Sequence, residues 1–444
     1  MHSTLHPVSR RAFLKQTAVA TLAFPFVSRL GAASANGMLL HASFGASGMA
    51  GADLNAITGT GKARLVTVAD VDLSRTSGVR SKFPDATIYQ DWRKLLDREA
   101  KNIDAANVST PDHMHGPIGL ALMQLGKHAY IQKPLAHNVY EVRQLQVRAR
   151  NAGVVTQMGI QVHSALEYRL AVQLIQDHAI GKIKEVHTWS NKKWGDMAPR
   201  PEQTDPIPET LDWNLWLGVA KDRPFIKDYY HPGNWRKRLD FGTGTFGDMG
   251  CHIYDPVFKA LALTAPLSVR SVGPEPGTDS WAIDAVIHYV FPGTAHTEGD
   301  AVNVTWYDGD RRPPQSVAAL VAGRDMPGQG SIFIGTKGVM LLPHVGRPVL
   351  LPEADFADYK MPEVAGANHW EEWVDACLGK GKTSAHLDYA GPLTETVLLG
   401  SLATRFPQQT LQWNSAKLTF TNVKEANAFV RRTYREGWEP RWVA

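Results

Sequence analysis

The segment GTGTFGDMGCHIYD, residues 242–255, contains a residue pair suited to acid–base chemistry. Asp248 and His252 are four residues apart after a glycine-rich turn, a spacing that places both side chains on one face of a helix. A carboxylate beside an imidazole can orient the ring and raise its basicity, so that the ring takes a hydroxyl proton near neutral pH. Loss of that proton drives a hydride from the same carbon to a nicotinamide. A capping acid and a buried structural histidine fit the same pair, so the pair alone leaves both interpretations open.

A glycine-rich turn near the start of the chain predicts a nucleotide-binding site. The sequence predicts a strand over 38–44, the turn GASGMAG over 45–51, then a helix, and a second strand over 63–72. In this order of elements, small residues let the backbone approach a pyrophosphate at a helix N-terminus. Four residues of the turn are predicted to contact the cofactor: Gly45, Ser47, Gly48 and Met49.

One residue departs from the usual fingerprint, and another bears on whether the cofactor is NAD or NADP. Ser47 stands where G-x-G-x-x-G/A has its middle glycine, so its Cβ takes space beside the cofactor while its hydroxyl can bond a phosphate. Asp70 follows the turn by about 20 residues, where an acid accepts hydrogen bonds from the adenosine ribose. Its carboxylate repels a 2′-phosphate and favours NAD, whereas the nearby Arg75 leaves NADP as an alternative.

The alternation of strands and helices continues to about residue 160. Predicted strands over 102–110, 129–134 and 154–161 alternate with predicted helices over 116–128 and 138–153. The pattern predicts a parallel sheet covered on both faces, with ligands beyond the carboxyl ends of its strands. Besides Gly45 and Asp70, four residues at that edge are predicted to contact the cofactor: Thr110, Pro111, His115 and Lys133.

The pattern changes after about residue 160 to strand-like runs with few helices between them, namely 182–190, 267–273, 282–291, 301–307, 331–342 and 347–352. These runs predict one large, mostly antiparallel sheet and hence an α+β domain. We therefore predict an α/β Rossmann domain that binds NAD(P) over 36–160 and an α+β substrate domain over 161–444. The segment 196–240 is rich in Pro, Trp and Asp and predicts a long ordered loop of the kind that serves binding.

Several of these features together resemble the glucose–fructose oxidoreductase/inositol dehydrogenase (Gfo/Idh/MocA) family: the fingerprint over 45–50, Lys133 in YIQKPLAHN, and Asp248 and His252 in GDMGCHIYD. The sequence is most similar to exported, twin-arginine-tagged members, which share PDHMHGP, LDWNLWLG and YREGW. The resemblance implies a nucleotide-binding domain followed by a domain with a large open sheet. Since the family often forms dimers or tetramers through that sheet, it also implies a homo-oligomer.

The resemblance also implies roles for individual residues. The family's Glu-Lys-Pro lysine, which touches substrate and nicotinamide, corresponds to Lys133. Its Asp-x-x-x-His pair corresponds to Asp248 and His252, with the histidine as the acid/base, and these three are the predicted catalytic residues. Gln132 replaces the usual glutamate, and because a neutral amide cannot pair with a cation, Lys133 is expected to have a different pKa or partner.

Aromatic and basic residues around the long loop are the predicted substrate contacts. Aromatic faces pack on the C–H faces of sugars, and arginine can fix hydroxyls or carboxylates. Four residues are assigned to the carbohydrate on this basis: Trp194, Trp235, Arg236 and His163. Trp213 and Trp216 surround the same loop, and core packing is the alternative interpretation for each tryptophan.

Other chemistries lack their sequence signatures. His113 and His115 form an H-x-H pair, but no acid or cysteine at coordination spacing accompanies them, so no metal site is predicted. There is no nucleophile elbow, no H-E-x-x-H and no P-loop. Two cysteines, Cys251 and Cys377, form no disulfide framework, although a single disulfide stays open.

The N-terminal segment predicts an export signal. SRRAFLK is followed by an apolar run over 18–27 and by Ala33-Ser34-Ala35, the order expected of a removable twin-arginine signal over 1–35. We therefore predict contact with the twin-arginine translocase and a periplasmic location. The apolar run is shorter than the ~20 residues of a membrane span, so no stable membrane insertion is predicted.

The charge balance is consistent with that assignment. The formal net charge is +4, and the segment to residue 35 holds four basic residues and no acid. The remaining chain is therefore close to neutral and lacks the basic footprint of a nucleic-acid partner.

A nicotinamide enzyme outside the cytoplasm has little free cofactor to exchange. We therefore expect NAD, or NADP, to be tightly bound and the turnover of a carbohydrate to be redox-neutral overall. Three interpretations compete: an oxidoreductase acting on a sugar or polyol hydroxyl, a glycoside-cleaving or lyase enzyme that uses transient oxidation, and a non-catalytic carbohydrate-binding protein. The intact Lys133, Asp248 and His252 argue against the third interpretation, while Ser47 and Gln132 keep it open.

Overall fold

The computed structural model describes residues 37–439, and the predicted export signal over 1–35 lies outside them. The described chain forms a six-stranded sheet and then a nine-stranded sheet, with helices packed against both. The predicted fold class is confirmed: a Rossmann domain with a parallel sheet precedes an α+β domain with a large, mostly antiparallel sheet. No helix among residues 37–439 has the length and apolar character needed to cross a bilayer.

The six strands of the first sheet are parallel, in the order β3-β2-β1-β4-β5-β6. Their bounds are β1 (Leu39–Phe44), β2 (Ala63–Ala69), β3 (Thr87–Tyr89), β4 (Ala105–Val108), β5 (His128–Gln132) and β6 (Thr156–Gly159). The connections contain α1 (Met49–Gly59), α2 (Ser77–Lys82), α3 (Trp92–Glu99), α4 (Asp112–Gln124) and α5 (Val139–Ala152). Because the strand order reverses between β1 and β4, a crevice opens beyond their carboxyl ends.

Local sequence explains where the helices of this domain begin and end. The side chain of Asn138 accepts a hydrogen bond from the N–H of Glu141 at 3.0 Å and caps α5. Gly153 ends that helix with a φ of 63°, a left-handed conformation that glycine adopts at little cost. Helix α4 begins at Asp112, before the start predicted at residue 116, and Pro111, with an extended ψ of 150°, is its N-cap.

The nine strands of the second sheet follow the order β13-β12-β11-β7-β10-β9-β8-β14-β15, and only the β7–β10 pair is parallel. Their bounds are β7 (Ile183–Ser190), β8 (Ser268–Ser271), β9 (Val286–Pro292), β10 (Ala301–Asp308), β11 (Gln329–Gly335), β12 (Val339–Pro343), β13 (Val349–Leu351), β14 (Thr410–Asn414) and β15 (Thr419–Phe420). Helices of this part are α6 (Leu166–Gln176), α7 (Trp213–Leu217), α8 (Gly244–Ala260), α9 (Gln315–Ala318), α10 (His369–Cys377) and α11 (Leu387–Ala403).

Strand β9 shows how this sheet buries one face. Ile287, Tyr289 and Phe291 are buried and belong to the main core, whereas His288 between them is exposed. The period of two is that of a strand with one covered face. Helix α8 packs against β7 and lies between α6 and α11, so the covered face carries the helix that holds Asp248 and His252.

The C-terminal helices also pack on the first domain. The indole N–H of Trp370 in α10 donates to Asp53 of α1 at 2.9 Å. The ring of Trp373 packs edge-on against Tyr130 of β5, with centroids 5.7 Å apart. Both cysteines are buried free thiols, Cys251 in α8 and Cys377 in α10. The residues after 368 therefore complete the core of the nucleotide-binding half, which the sequence did not predict.

Helix termination gives a direct test of the fold. Replacing Gly153 with alanine forces a Cβ into the left-handed conformation, and we expect the free energy of unfolding to fall by about 1 kcal/mol. Gly59→Ala is the matched control, because Gly59 ends α1 without a positive φ and a Cβ there would have open space. Urea unfolding followed by circular dichroism measures both. Equal effects of the two substitutions would contradict the assigned end of α5.

Candidate active site

A cavity of about 350 Å³ lies beyond the carboxyl ends of β1 and β4. Its wall contains all residues predicted to contact the cofactor and all three predicted catalytic residues: Gly45, Ser47, Gly48, Met49, Asp70, Thr110, Pro111, His115, Lys133, Asp248 and His252. Of the predicted substrate contacts, Trp235 and Arg236 belong to this wall, whereas Trp194 and His163 do not. Side chains from both domains thus meet around one cavity, and the roles assigned to them stay predictions.

The turn after β1 has the shape that a pyrophosphate needs. Gly45 has a φ of 105°, and a Cβ there would lie 2.7 Å from the Cβ of Ala50 and 2.9 Å from the carbonyl oxygen of Ser109. Gly48 also has a positive φ and leads directly into α1. The Oγ atom of Ser47 is buried with no hydrogen-bond partner among the described residues. Dinucleotide phosphates would supply that partner at the N-terminus of α1, so these residues fit the cofactor.

Asp70 is fixed to the same turn. Its two carboxylate oxygens accept hydrogen bonds from the N–H of Ala46 at 2.9 Å and from the N–H of Asp72 at 3.0 Å. Burial raises the pKa of Asp70, and these two hydrogen bonds partly oppose the increase. The guanidinium of Arg75 lies beside Gly48, 3.7 Å from where a Cβ would stand. A carboxylate and a guanidinium therefore both line the end of the cavity where a ribose of the cofactor would lie.

His115 links the two chain segments that frame the cavity. Its Nδ1 lies 2.7 Å from the carbonyl oxygen of Pro134, and its Nε2 lies 2.8 Å from that of Thr110. Burial lowers the pKa of His115 to about 4, although both carbonyls favour the charged ring. A neutral ring has one N–H and donates to one carbonyl at a time. His115 therefore holds the loop after β4 against the Lys133-Pro134 segment.

An ion pair joins the two domains at the centre of the wall. The Nζ atom of Lys133, directly after β5, donates to the Oδ1 atom of Asp248 at 2.7 Å and to its backbone carbonyl at 2.9 Å. The Nε atom of Arg236 lies 3.3 Å from the same Oδ1 atom. Burial alone would raise the pKa of Asp248, but the charges of Lys133 and Arg236 outweigh it and hold that pKa below its usual range. The carboxylate is therefore charged and fixes both cations.

His252 lies one helical turn after Asp248 but does not share its carboxylate. Asp248 is bonded to Lys133 and Arg236, and no hydrogen bond between Asp248 and His252 is present. The Nδ1 atom of His252 is buried without a partner among the described residues. Burial, together with the charge of Lys133, lowers the pKa of His252 well below its usual value. The charge of Asp248 raises the pKa of the ring, as expected, but burial and the charge of Lys133 outweigh this effect and keep the ring neutral.

Arg236 is positioned by tryptophan rings. Its guanidinium lies 4.3 Å from the ring centroid of Trp235 and 5.5 Å from that of Trp194. Trp194 therefore supports Arg236 from outside the cavity, while Trp235 and Arg236 face it. The stacking restricts the guanidinium to the place where it meets Asp248.

His163 forms a separate buried pair. Its Nδ1 atom lies 2.8 Å from the Oδ1 atom of Asp255, whose Oδ1 also accepts the hydroxyl of Tyr389 at 2.6 Å. Asp255 follows His252 by three residues on α8. The carboxylate that bonds His163 and the carboxylate that bonds Lys133 therefore belong to the same helix. His163 is held against the core instead of the cavity wall, and Gln161, two residues earlier, lines the cavity.

The partners of Gln132 were not predicted from sequence. Its Nε2 donates to the Oδ2 atom of Asp53 at 2.9 Å, and its Oε1 accepts a hydrogen bond from the backbone N–H of Lys133 at 3.3 Å. Asp53 also accepts from the hydroxyl of Ser109 and the indole of Trp370, at 2.8 and 2.9 Å. Burial raises the pKa of Asp53 to about 6 against these hydrogen bonds. Gln132, which replaces the family's glutamate, thus pairs with the buried acid Asp53. The ammonium of Lys133 pairs with Asp248 instead.

The long loop supplies four further residues to the cavity wall: Leu215, Trp216, His231 and Pro232. The Nε2 atom of His231 bonds the Oδ2 atom of Asp72 at 2.9 Å, and the hydroxyl of Thr210 donates to Oδ1 of the same carboxylate at 3.0 Å. Asp72, two residues after Asp70, thus ties the loop to the first domain. The composition of residues 196–240 predicted a binding loop, but only tertiary contact identifies the anchoring residues.

The H-x-H pair bonds to the backbone. The Nε2 atom of His113 lies 3.2 Å from the carbonyl oxygen of Trp216, and both ring nitrogens of His115 face carbonyl oxygens. Across residues 37–439, no group of three or more His, Cys, Asp or Glu side chains is arranged to hold a metal ion.

Comparison with known families decides the identity of this architecture. Residues 41–160 match the Gfo/Idh/MocA oxidoreductase family with its NAD-binding Rossmann fold, and residues 180–303 match the C-terminal alpha/beta domain of the same family. The two matches together cover more than half of the chain. The protein belongs to the Gfo/Idh/MocA oxidoreductase family. The resemblance noted for the fingerprint, Lys133, Asp248 and His252 is thereby confirmed at the level of the family.

Relatives within the Gfo/Idh/MocA family include enzymes that act on sugars. Over 192 residues the chain is 23% identical to levoglucosan dehydrogenase of Pseudarthrobacter phenanthrenivorans, covering 43% of this chain and 40% of that protein. Over 119 residues it is 29% identical to alpha-N-acetylgalactosaminidase of Shewanella oneidensis, covering 26% of each chain. The chain thus spans less than half the length of each of these two relatives.

Solved structures of the same fold carry a nicotinamide cofactor. The WlbA dehydrogenase of Bordetella pertussis, in complex with NADH and UDP-GlcNAcA, superposes with a TM-score of 0.60 at 14% sequence identity. The match covers 85% of this chain and 98% of that one. At this identity the similarity establishes the shared fold.

The network around Asp53 gives a test of how the site is supported. Asp53→Asn replaces one acceptor oxygen with an N–H₂ group facing buried donors, so we expect the free energy of unfolding to fall by about 1–3 kcal/mol. Asp97→Asn on the exposed face of α3 is the matched control and should change it by less than about 0.5 kcal/mol. Urea titration at pH 7 measures both. An unchanged midpoint for Asp53→Asn would refute the network.

Proposed function

We propose that the protein is an NAD(P)-dependent oxidoreductase that acts on a hydroxyl of a sugar or polyol. The observation that supports this most is that the Lys133 ammonium, the neutral imidazole of His252 and the glycine-rich turn line one cavity. The Asp248 ion pair fixes the ammonium, while the ring is uncharged and able to accept a proton.

Each residue of the cavity would have a distinct role in the reaction. When bound, the nicotinamide accepts a hydride from the carbon that carries the substrate hydroxyl. His252 takes the hydroxyl proton on its unprotonated nitrogen, and the ammonium of Lys133 stabilises the negative charge that develops on the oxygen. Asp248 orients Lys133 and keeps it charged, while Arg236 adds a second positive group beside the same oxygen-binding place.

The same residues support a preference for NAD. The carboxylate of Asp70 is fixed by two backbone N–H groups and would repel a 2′-phosphate. Arg75 lies close enough to offset part of that repulsion, and NADP is the second candidate.

The export signal supports a further part of the proposal. SRRAFLK over 9–15 is the tag used by the twin-arginine translocase, which carries folded cargo to the periplasm. A cofactor loaded before export and kept in place would make turnover redox-neutral. The exposed face of the nine-stranded sheet, which includes His288, is the surface we propose for a homo-oligomer.

A second candidate is cleavage of a glycoside or elimination through transient oxidation. Oxidising one sugar carbon acidifies the neighbouring C–H, which a modest base such as His252 could then remove. The similarity of part of this chain to an alpha-N-acetylgalactosaminidase supports this second candidate. Products separate the two: a keto sugar or an alditol supports oxidoreduction, whereas free monosaccharides or an unsaturated sugar support cleavage.

Hydride transfer tests the proposal directly. The purified protein mixed with sugars and polyols should change the absorbance of the nicotinamide, and His252→Ala should slow that change by about 100-fold or more. His386→Ala, at an exposed histidine outside the cavity, is the control. Because the pKa of His252 is lowered, the ring stays unprotonated below the usual histidine pKa of about 6.5, and kcat/KM should decline only at lower pH. No absorbance change with any substrate would argue for a binding protein.

Cofactor retention is tested on the exported form. Protein recovered from the periplasm and denatured with acid or heat should release nicotinamide dinucleotide at about one equivalent per chain, identified by chromatography as NAD. Protein from cells in which Arg10 and Arg11 are both changed to lysine should remain in the cytoplasm and carry the same nucleotide. Exported protein without nucleotide would rule out retention.

A further inference from the structure

A second cavity of about 560 Å³ lies apart from the cofactor cavity and shares no lining residue with it. Its wall combines residues 221–223 of the long loop, α11, the segment 428–433 and the start of α5. The turn before α8 connects the walls of the two cavities. Thr243 lines the second cavity, and its hydroxyl donates to Asp112 in the wall of the first at 2.8 Å.

The lining of this cavity is positively charged. It contains six basic side chains, Arg200, Lys221, Arg223, Arg405, Arg431 and Arg432, against three carboxylates, Asp222, Asp240 and Asp279. Arg223 uses two of these carboxylates, because it pairs with Asp240 and with Asp279. Asp222 is exposed and lies 3.9 Å from Arg435. The three acids are therefore already engaged and leave positive charge uncompensated.

Arg405 and Arg432 carry that uncompensated charge. Among the described residues, neither guanidinium has a carboxylate oxygen within 4 Å, and Asp240, Glu141 and Glu275 act on them only over longer distances. Arg405 is held by aromatic rings, 5.1 Å from the centroid of Trp281 and 4.6 Å from that of Phe429. Arg432 donates only weakly, to the carbonyl oxygen of Asp240 at 3.4 and 3.5 Å.

Three side chains of the lining also contain buried donors without partners. Within the described chain, three N–H groups of the lining have no acceptor: Nε of Arg432, one terminal nitrogen of Arg200 and Nδ2 of Asn138. Asn138 is 5% exposed, and its Oδ1 is used to cap α5. Buried donors in native proteins are nearly always satisfied, so an arrangement of this kind calls for an acceptor from outside the chain.

We propose that this cavity binds a small organic anion through a carboxylate or phosphate group held by Arg405, Arg432 and Asn138. Guanidinium groups match both oxyanions with paired N–H donors, and a lysine at the rim, Lys221, adds attraction over a longer range. The volume exceeds that of a bare ion, and a sugar acid or a sugar phosphate is the class of ligand that fits the size and charge.

This proposal is independent of the catalytic assignment. It requires neither cofactor nor turnover, and it concerns residues outside the cofactor cavity. Its failure therefore leaves the proposed oxidoreductase untouched, and the reverse also holds.

Calorimetric titration at low ionic strength tests it. The probes are inorganic phosphate, glucuronate and glucose 6-phosphate, with glucose as the uncharged control. We expect saturable binding of a sugar acid or sugar phosphate, weaker binding of inorganic phosphate and none of glucose. Arg405→Gln with Arg432→Gln should weaken binding by about 100-fold, the loss expected for two charge-assisted hydrogen bonds.

The controls separate charge from folding. Arg64→Gln, on an exposed arginine of β2, should bind as the native chain does. Arg405→Lys should bind more weakly than the native chain but more tightly than Arg405→Gln, because lysine keeps the charge and lacks the paired N–H donors. NADH binding and the thermal unfolding midpoint report whether each variant is folded. Absence of saturable binding to every probe, or undiminished binding in the folded double variant, would overturn the proposal. Binding of inorganic phosphate as tight as that of the sugar anions would reject an organic ligand.

Discussion

The ion pair between Lys133 and Asp248 is the interaction on which the candidate site depends. It connects the end of β5 in the Rossmann domain with the second turn of α8, and its two side chains are only 13% and 15% exposed. A charge buried to this extent is costly to leave alone, so removing either partner destabilises the other as well as the domain interface. With Arg236 bound to the same carboxylate, the pair directs two cations and one neutral ring toward a single cavity.

The substitution of glutamine for the family's glutamate at residue 132 is accommodated within this arrangement. An ionised glutamate at 132 would stand next to the carboxylate of Asp53, which now accepts a hydrogen bond from the Gln132 amide. The amide removes that repulsion and still accepts the backbone N–H of Lys133. One buried negative charge thus remains beside Gln132, on Asp53. The positive charge of Lys133 is balanced by Asp248. In this chain the amide thus bonds Asp53, and the ammonium of Lys133 bonds Asp248.

The sequence predicted the fold class and the part of the cavity wall formed by the glycine-rich turn and the strand ends, because both rest on local patterns. Strand–helix alternation and the positive-φ requirement at Gly45 are readable within a few residues, and the carboxyl ends of parallel strands converge at one edge. The spacing of Asp248 and His252 did not show that the carboxylate bonds Lys133 and Arg236, because spacing places two side chains on one face without deciding which partner each takes. Trp370 reaches Asp53 across 317 residues, and no local signal marks such a contact.

The glycine-rich turn before α8 shows why catalytic and structural constraints coincide. A Cβ at Gly242 would lie 2.5 Å from the Cα of Arg236 and 2.7 Å from the carbonyl oxygen of Trp235, so only glycine allows these segments to touch. That contact brings Arg236 to Asp248. The same turn receives His137 at the carbonyl of Gly242 and contributes Thr243 to the arginine-lined cavity. A ligand in that cavity would therefore lie beside Thr243, the residue directly before the helix that carries His252.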